Sequence, residues 1–189
     1  TKVTDAGLIH LVGMSRLTDL QLAGTVITDR GLESISRFEN LKRLDVSYTR
    51  VTDNGLAHLS KLADLRELSL WNASITDRGL AHLSSSKKLR KLYLGRTDIT
   101  DEGMTHLSGL SELRSLVLSE TSVSNVGLAS LTKLTELREV FLNNTNVTSS
   151  GLEHLSKLPN LRSLNLDNTG VTYDAMDQFR REHPNVTIF

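Results

Sequence analysis

The sequence predicts an α/β solenoid in which parallel strands alternate with short helices, and three observations carry this prediction. First, a motif of the type VTDAGL begins at residue 3 and recurs every 24 residues without a gap. Second, apolar residues alternate with polar ones before each later motif, and they recur at every third position after it. Third, 35 of the 189 residues are leucine, an excess that suits a long apolar interior.

The motif occurs eight times, which sets the domain organisation. The copies are VTDAGL, ITDRGL, VTDNGL, ITDRGL, ITDEGM, VSNVGL, VTSSGL and VTYDAM. Because one unit alone cannot bury its apolar face, stability is expected to arise between stacked neighbours. The unbroken spacing therefore predicts a single domain over residues 1–189 with about eight repeats.

Each repeat is predicted to contain one strand and one short helix. Leu20 and Leu22 flank a polar residue, which is the period of a half-buried strand. Leu56 and Leu59 lie three positions apart, which suits a short α-helix or a 3₁₀ turn. Helices are predicted to start at 24-residue intervals. The predicted strands lie near residues 19–22, 43–46, 67–70, 91–94, 115–118, 139–142, 163–166 and 187–189.

Three recurrent polar or small positions receive structural roles. Thr28 or Asp29 is a candidate N-cap, and the aspartates of this position are explained by the positive end of the helix dipole. The motif glycine, for example Gly79, is predicted to let helix and sheet backbones approach closely. A threonine after each strand is expected to bond backbone groups of the neighbouring repeat. These threonines are Thr25, Thr49, Thr97, Thr121, Thr145 and Thr169.

On these residues the whole chain resembles the leucine-rich repeat family. The threonine after the strand and the TDxGL helix start resemble 24-residue repeats of bacterial proteins. They are also similar to the repeats of F-box substrate receptors, which typically carry a cysteine where this chain has the threonine. The resemblance implies a horseshoe solenoid with parallel strands on the concave face and short helices on the convex face. It also implies a non-enzymatic module that recognises a protein or peptide on the concave face.

The two ends are predicted to differ from the internal repeats. Residues 1–16 correspond to the helical half of a repeat, which predicts a truncated N-terminal repeat. The residues around Tyr173 and the polar stretch 180–183 depart from the repeat pattern. A last short strand follows Pro184, so the C-terminal repeat is predicted to cap the stack.

Composition and motifs argue against several classes of function. The 22 basic and 22 acidic residues give a net charge of zero, whereas nucleic-acid modules need a basic surface. No apolar run approaches the roughly 18 residues of a membrane span. The chain has no cysteine, which excludes disulfides and thiolate metal sites. Because no P-loop, HExxH or GxSxG motif occurs, neither an enzyme nor a bound cofactor is predicted.

A recurrent histidine invites a metal-binding interpretation, but helix geometry disfavours it. Adjacent helix axes lie about 8–10 Å apart, whereas zinc needs ligand nitrogens at about 2.0–2.1 Å. Each such site would also lack a third ligand. Duplication of a surface residue is the favoured explanation, and no metal site is predicted. The histidines are His10, His58, His82, His106 and His154.

The candidate binding site is an aromatic patch on the predicted concave wall. Aromatic residues exposed on a rigid sheet fit an interface hot spot, although strands favour aromatic residues in general. The predicted partner-binding residues are Trp71, Tyr93, Val117, Phe141, Tyr48, Lys91 and Arg96. Beside them, charges alternate in sign from strand to strand, which predicts cross-strand ion pairs. These residues are Asp19, Arg43, Glu67 and Lys91.

Two other functions stay open at the level of the sequence. The chain could be the substrate-receptor domain of a ubiquitin-ligase-like assembly of the F-box type, which would need an F-box or another effector segment upstream. It could also be a surface protein that binds metal or carbohydrate through its histidine or aspartate positions. The partner of the favoured function is an unidentified protein or peptide, with no nucleic acid and no membrane span.

One repeat contains a predicted weak point at Ser86. The equivalent helix position holds an apolar residue in the other repeats, such as Leu62 and Leu110. Polar residues surround the serine over 84–88, so this segment is expected to bury little apolar area and to be more mobile than its neighbours.

Overall fold

The computed structural model describes residues 3–11 and 13–189, and these residues form one open sheet of eight parallel strands with short helices on one side. The strands follow one another in chain order, from β1 to β8. Every predicted strand is present, and each ends one residue earlier than predicted. The strands are β1 Asp19–Gln21, β2 Arg43–Asp45, β3 Glu67–Ser69, β4 Lys91–Tyr93, β5 Ser115–Val117, β6 Glu139–Phe141, β7 Ser163–Asn165 and β8 Thr187–Ile188.

The helical segments confirm the predicted 24-residue spacing. They begin at residues 5, 29, 53, 77, 101, 125, 149 and 173. Several continue as 3₁₀ helix, and the segment at 149 starts as one, which agrees with apolar side chains at every third position. None of the helices within 3–11 and 13–189 is long and apolar enough to cross a membrane. The α-helices are α1 Asp5–Leu8, α2 Asp29–Ile35, α3 Asp53–Leu56, α4 Asp77–Ala81, α5 Asp101–Leu107, α6 Asn125–Leu128, α7 Leu152–Leu155 and α8 Tyr173–Glu182.

Strand register stacks equivalent residues on top of one another. Leu44 pairs with Leu68, Leu68 with Leu92, and Leu92 with Leu116. Because side chains alternate along a strand, these residues all point to the helical side, where they are essentially inaccessible to solvent. They join the helix leucines in one continuous apolar cluster. The side chains on the opposite side of every strand are therefore not needed for the apolar core and can be polar, charged or aromatic.

The aspartate of the motif links consecutive repeats. Thr100 donates to Asp77 twice, from its backbone N to Oδ1 (2.8 Å) and from Oγ1 to Oδ2 (2.6 Å). Four other pairs repeat this clamp, and the N-cap acceptor of α5 is the threonine oxygen rather than the carboxylate. Of the two predicted N-cap candidates, Thr28 is confirmed as the cap of α2, whereas Asp29 bonds Thr52 of the next repeat instead. The other clamped pairs are Asp5–Thr28, Asp29–Thr52, Asp53–Thr76 and Asp101–Ser124.

The motif glycine makes room for this clamp. A Cβ atom at Gly79 would lie 2.3 Å from Asp53 Oδ1, and one at Gly103 would lie 2.2 Å from Asp77 Oδ1. The predicted close approach therefore involves the preceding repeat's carboxylate, and not the sheet backbone. Thr, Asp and Gly recur together because all three build the same contact between repeats.

The threonine after each strand bonds within its own repeat. Thr97 Oγ1 donates to the carbonyl oxygen of Leu94 (2.5 Å), and Thr25 Oγ1 donates to that of Leu22 (2.7 Å). The prediction of a bond to the neighbouring repeat is wrong, because the chain turns back at this point and brings its own strand carbonyl into reach. The side chain closes the turn after every strand from β1 to β7 except β3, where Ala73 takes its place.

Each repeat leaves its strand through a left-handed residue just before this threonine. Gly24 adopts φ +68°, and six other residues in the same position have φ between +53° and +58°. Glycine and asparagine tolerate this conformation better than other residues. Tyrosine, arginine and glutamate do not share that tolerance, yet they occupy three of the positions. The six residues are Tyr48, Asn72, Arg96, Glu120, Asn144 and Asn168.

Candidate functional site

The outward side chains of the sheet form the surface that we call the strand face. In each repeat it consists of the first and third strand residues and the residue two positions further along. For β3 these are Glu67, Ser69 and Trp71, which lie on the side opposite to the fully buried Leu68 and Leu70. The strand face corresponds to the surface that the sequence predicts as concave.

Three of the predicted site residues are neighbours at the centre of the strand face. Tyr93 pairs with Val117, and Val117 pairs with Phe141, on the consecutive strands β4, β5 and β6. Both rings are half-buried, whereas Val117 is only 8% exposed. The valine therefore offers less contact area than the sequence suggested, because it lies between two larger side chains. Together with Trp71, these residues are the aromatic patch.

Trp71 lies against the bare Cα of Gly95. A Cβ atom at position 95 would lie 2.3 Å from Trp71 Cζ3 and 2.5 Å from Cε3, so the indole occupies the space of a missing side chain. Its Nε1 is buried and has no hydrogen-bond acceptor among the described residues. The side chain as a whole is half-buried. The tryptophan is thus held on the sheet by shape, while its one polar atom stays unsatisfied.

Polar side chains on either side of this contact bond to one another. Ser47 Oγ and Ser69 Oγ share a hydrogen bond (2.6 Å), and Ser119 Oγ donates to Asn143 Oδ1 (2.6 Å). These bonds join adjacent strands across the outward face. They fix the polar surroundings of the aromatic patch without contributing charge.

A shallow hollow of about 200 Å³ opens beside Tyr93. Sequence reasoning did not include most of its lining in the site. The predicted register of the strands would have identified part of this lining, because it pairs Ser69 with Tyr93 and Glu67 with Lys91. The lining residues are Asp19, Leu20, Gln21, Arg43, Leu44, Asp45, Glu67, Ser69 and Tyr93.

The charges around the hollow are partly paired. Arg43 forms an ion pair with Asp19, and Lys91 Nζ lies 3.9 Å from Glu67 Oε2. These contacts confirm the predicted cross-strand pairing. Asp45 accepts a hydrogen bond from the backbone N of Ser47 (2.9 Å). The side of the strand face toward β1 is therefore polar, next to an aromatic centre.

Tyr93 lies where these two environments meet. Burial raises the pKa of its phenol above the ordinary value, and the negative charges of Glu67 and Glu139 raise this pKa further. The phenol therefore stays neutral over the physiological range and can donate a hydrogen bond to an acceptor on a partner.

The remaining predicted residues lie at the margins of the patch. Tyr48 and Arg96 occupy the left-handed positions after β2 and β4, and Tyr48 is 52% exposed. The backbone N of Tyr48 donates to the carbonyl oxygen of Trp71 (2.8 Å), and Arg96 Nε donates to Glu120 Oε2 (2.9 Å). Lys91 lies at the start of β4. The structure thus gathers the patch but places Tyr48, Arg96 and Lys91 around it.

The described residues offer no assembled group of metal ligands. Within 3–11 and 13–189, no three or more His, Asp or Glu side chains converge on one point. The only close pair of aromatic rings in these ranges, Phe179 and His183 (4.3 Å between centroids), lies in the last repeat, away from the patch. The strand face can present an apolar centre with charged margins on a rigid support.

Parts of this chain match a known family of repeats. A family model described as leucine-rich repeat matches residues 15–36, 39–60 and 85–108. These segments are leucine-rich repeats. The stacked parallel strands and short helices are accordingly the fold of a leucine-rich repeat solenoid. A comparison with curated proteins finds no significant match.

Solved structures of bacterial leucine-rich repeat proteins share the fold. An internalin from Listeria monocytogenes superposes with a TM-score of 0.69 at 22% identity, covering 94% of this chain and 55% of that chain. Internalin C2 of the same organism superposes with a TM-score of 0.78 at 23% identity, covering 100% of this chain and 77% of that chain. A leucine-rich repeat protein from Leptospira interrogans superposes with a TM-score of 0.69 at 19% identity, covering 96% of this chain and 50% of that chain. The chain therefore spans about half the length of the first and third of these proteins.

Proposed function

We propose that this leucine-rich repeat domain is a non-enzymatic module that binds a protein or peptide on its strand face, with the aromatic patch at the centre of the contact. Leucine-rich repeats are typical modules of protein interaction. The finer assignment, to the strand face and to named residues, rests on the chemistry of that face.

The observation that carries the proposal is the position of three aromatic rings on the outward side of the sheet. The core of the solenoid lies on the other side and is built mainly of leucine, valine and isoleucine, with Phe38 and Phe179 as its aromatic members. Trp71, Tyr93 and Phe141 are therefore not required to complete the interior. Tryptophan and tyrosine are enriched among residues that dominate binding energy, because they combine a large apolar area with a polar atom.

The unsatisfied indole N–H of Trp71 supports the same conclusion. A buried polar group without a partner costs about 1–3 kcal/mol, and the folded domain bears this cost while the indole ring packs against Gly95. A small rotation of the ring away from Gly95 would present Nε1 to a carbonyl oxygen of a bound peptide. Binding would then satisfy the donor and still bury the ring.

The left-handed residues extend the proposed site to the edge where the strands end. Tyr48 and Arg96 adopt a conformation that costs roughly 1–2 kcal/mol for a residue other than glycine or asparagine. Asparagine fills the equivalent position in three other repeats. Residues held in such conformations cluster at functional sites. We therefore include Tyr48 and Arg96 with Lys91 as margin contacts.

The experiment is a selection of ligands with matched baits. Peptides displayed on phage are selected on the wild-type domain and in parallel on the double variant Trp71→Ala/Phe141→Ala. A second variant on the helical side, His82→Ala, serves as the control. The proposal expects ligands that require the aromatic residues and tolerate the control change. Ligands that bind all three baits equally would place the site elsewhere.

The alternatives raised by the sequence have no support in the contacts described above. The similarity to F-box-associated repeats and the narrower assignment to bacterial TDxGL repeats stay predictions. The same holds for a surface protein that binds metal or carbohydrate, and for the capping role of the last repeat. No observation favours any of them over recognition of a protein or peptide.

A further inference from the structure

A column of six basic side chains runs along the edge where the strands begin. Each residue directly precedes a strand, and the column is continuous from β2 to β7. The backbone N of each member after Lys42 donates to the carbonyl oxygen of the preceding member at 2.7–2.8 Å, so the six residues are immediate neighbours. They are Lys42, Arg66, Arg90, Arg114, Arg138 and Arg162.

Such a column is unfavourable for the fold. Like charges directly opposite one another on adjacent strands are destabilising. The adjacent position on the strand face avoids this cost, because its charges alternate in sign from Asp19 to Lys91 and form ion pairs. The column keeps one sign throughout, so packing alone does not account for it.

The turns around the column extend the positive charge. The six turns before β2 to β7 contain twelve Lys or Arg and four Asp or Glu, a net charge of +8. The stretches that follow β1 to β6 and run to the first residue of the next helical segment contain two Arg and six Asp or Glu, a net charge of −4; they are 23–29, 47–53, 71–77, 95–101, 119–125 and 143–149. The chain is neutral as a whole, yet its charge is separated between two opposite edges. The turns before the strands are 36–42, 60–66, 84–90, 108–114, 132–138 and 156–162.

Carboxylates already occupy part of the column. Arg90 donates from Nε (3.1 Å) and Nη2 (3.0 Å) to Glu112 Oε2 of the next turn. Arg114 Nη2 lies 3.7 Å from Glu136 Oε2, which holds the equivalent position one repeat later. The middle of the column therefore shows how an arginine at this position binds a carboxylate.

Three arginines lack this internal acid. The position equivalent to Glu112 holds Lys88 for Arg66, Asn160 for Arg138 and Pro184 for Arg162. Arg162 Nη1 donates to the carbonyl oxygen of Leu161 (2.8 Å). Within the described ranges none of the three forms an ion pair, and all three are exposed.

We propose that an acidic, extended segment of a partner protein docks along this column and supplies the missing carboxylates to Arg66, Arg138 and Arg162. The three arginines directly precede β3, β6 and β7, and four strand spacings of about 4.8 Å separate the first from the last. An extended peptide that rises about 3.3 Å per residue covers this distance with about six residues. The docking site lies outside the aromatic patch and does not depend on it.

The flanking acids favour a narrow partner over a wide one. Glu67 and Glu139 begin β3 and β6 on one side of the column, and Glu112 and Glu136 lie on the other. A double-helical polyanion, which is wider than the column, would be pressed against these carboxylates. A single extended chain can follow the column between them.

The carboxylate of Asp64 lies at this edge and forms an ion pair with Lys88. Lys88 holds the pKa of the Asp64 carboxyl below its ordinary value, and the charges of Arg66 and Lys42 act in the same direction. The Asp64 carboxylate is therefore stabilised in its charged form, mainly by its hydrogen bond and ion pair with Lys88.

The test uses a fluorescein-labelled peptide of about eight glutamates, long enough to span the column at about 3.3 Å per residue. Its Kd is measured by anisotropy with the wild type and with the triple variant Arg66→Gln/Arg138→Gln/Arg162→Gln. The matched control is Arg30→Gln/Arg50→Gln/Arg78→Gln, which has the same net charge and changes three exposed arginines away from the column, Arg50 after β2 and Arg30 and Arg78 in the first turns of α2 and α4. Thermal melts establish that all three proteins are folded.

The expected result is a rise in Kd of about tenfold or more for the column variant and less than about twofold for the control. Raising the salt concentration should weaken wild-type binding more than binding of the column variant. Equal effects of the two triple variants, or no binding of the peptide by the wild type, would overturn the proposal. The Kd of an oligothymidylate of similar length is measured in the same way. If it binds more tightly than the peptide and depends on the same arginines, the proposal is also overturned. The variant Trp71→Ala/Phe141→Ala should bind the peptide normally, so failure of the strand-face proposal is detected separately.

Discussion

The indole of Trp71 fills the space beside Gly95 where every other residue type would place a side chain. The two residues follow the adjacent strands β3 and β4, and the backbone N of Asn72 donates to the carbonyl oxygen of Gly95 (2.9 Å), which fixes their spacing. The pair makes the surface of the aromatic patch depend on one glycine.

Substitution of this glycine is predicted to displace the tryptophan. In Gly95→Ala, a methyl group would overlap Cζ3 of Trp71, so the ring must move toward solvent. Because Trp71 is the only tryptophan, its fluorescence emission should shift to longer wavelength. Overpacking of this kind costs about 1–3 kcal/mol. The control is Gly109→Ala at an exposed glycine, and an emission spectrum unchanged by Gly95→Ala would contradict the contact.

The clamp between repeats is predicted to contribute measurably to stability. Asp77→Ala removes the acceptor of two hydrogen bonds from Thr100, one of them from a backbone N. The free energy of unfolding in urea should fall by about 1–3 kcal/mol, because these donors lose their partner. Asp98→Ala, which removes an exposed carboxylate with no side-chain bond among the described residues, is the control. Equal effects of the two changes would argue against the clamp.

Ser86 is predicted to mark the weakest segment of the helical side. The serine is only 8% exposed at a position that holds leucine in neighbouring repeats, so it replaces apolar contacts in the interior. Amides of 84–88 should exchange faster than those of 132–136. Ser86→Leu should raise the free energy of unfolding by up to about 1–2 kcal/mol if the side chain is accommodated. Slower exchange at 84–88 would contradict this prediction.

Tyr93 is predicted to titrate above the ordinary tyrosine pKa of about 10. Burial and the charges of Glu67 and Glu139 raise the pKa of its phenol in the folded state. The unfolded chain therefore loses this proton first, so the contribution of Tyr93 to stability is complete below about pH 10 and falls as the pH rises beyond it. In a titration followed by the ultraviolet absorbance of tyrosinate, the wild type should show one tyrosine that ionises later than the others, and Tyr93→Phe should lack this late step. Ionisation of all tyrosines in one ordinary step would contradict the assignment.

Periodicity in the sequence was sufficient to predict the secondary structure. A 24-residue repeat with apolar residues at fixed positions determines both the parallel register and the helix starts, because equivalent residues must stack. The bonds between repeats could not be predicted in the same way. Thr28 lies next to Asp29 in sequence but bonds Asp5 of the preceding repeat, and an exact repeat does not distinguish partners within a unit from partners one unit away.

The candidate site was predictable only in part. Alternation along a strand placed Trp71 and Phe141 on the outward face, since that property depends on the local chain alone. The exposure of Val117 depends on the size of its neighbours on β4 and β6, which is a property of packing. Tyr48 and Arg96 follow β2 and β4 and are themselves left-handed. The alternation of side chains along the strand ends at these residues, so it could not predict that they lie at the edge of the patch.

The most direct test of the strand-face account is the affinity of one selected peptide for the wild type, Trp71→Ala and Phe141→Ala, measured by isothermal titration. The account predicts that each change weakens binding by about 2 kcal/mol or more, the scale of hot-spot residues. Each should destabilise the fold less than Leu116→Ala, which truncates the core at a cost of about 2–5 kcal/mol. Unchanged affinity of the folded Trp71→Ala and Phe141→Ala proteins would show that the aromatic patch is not the binding site.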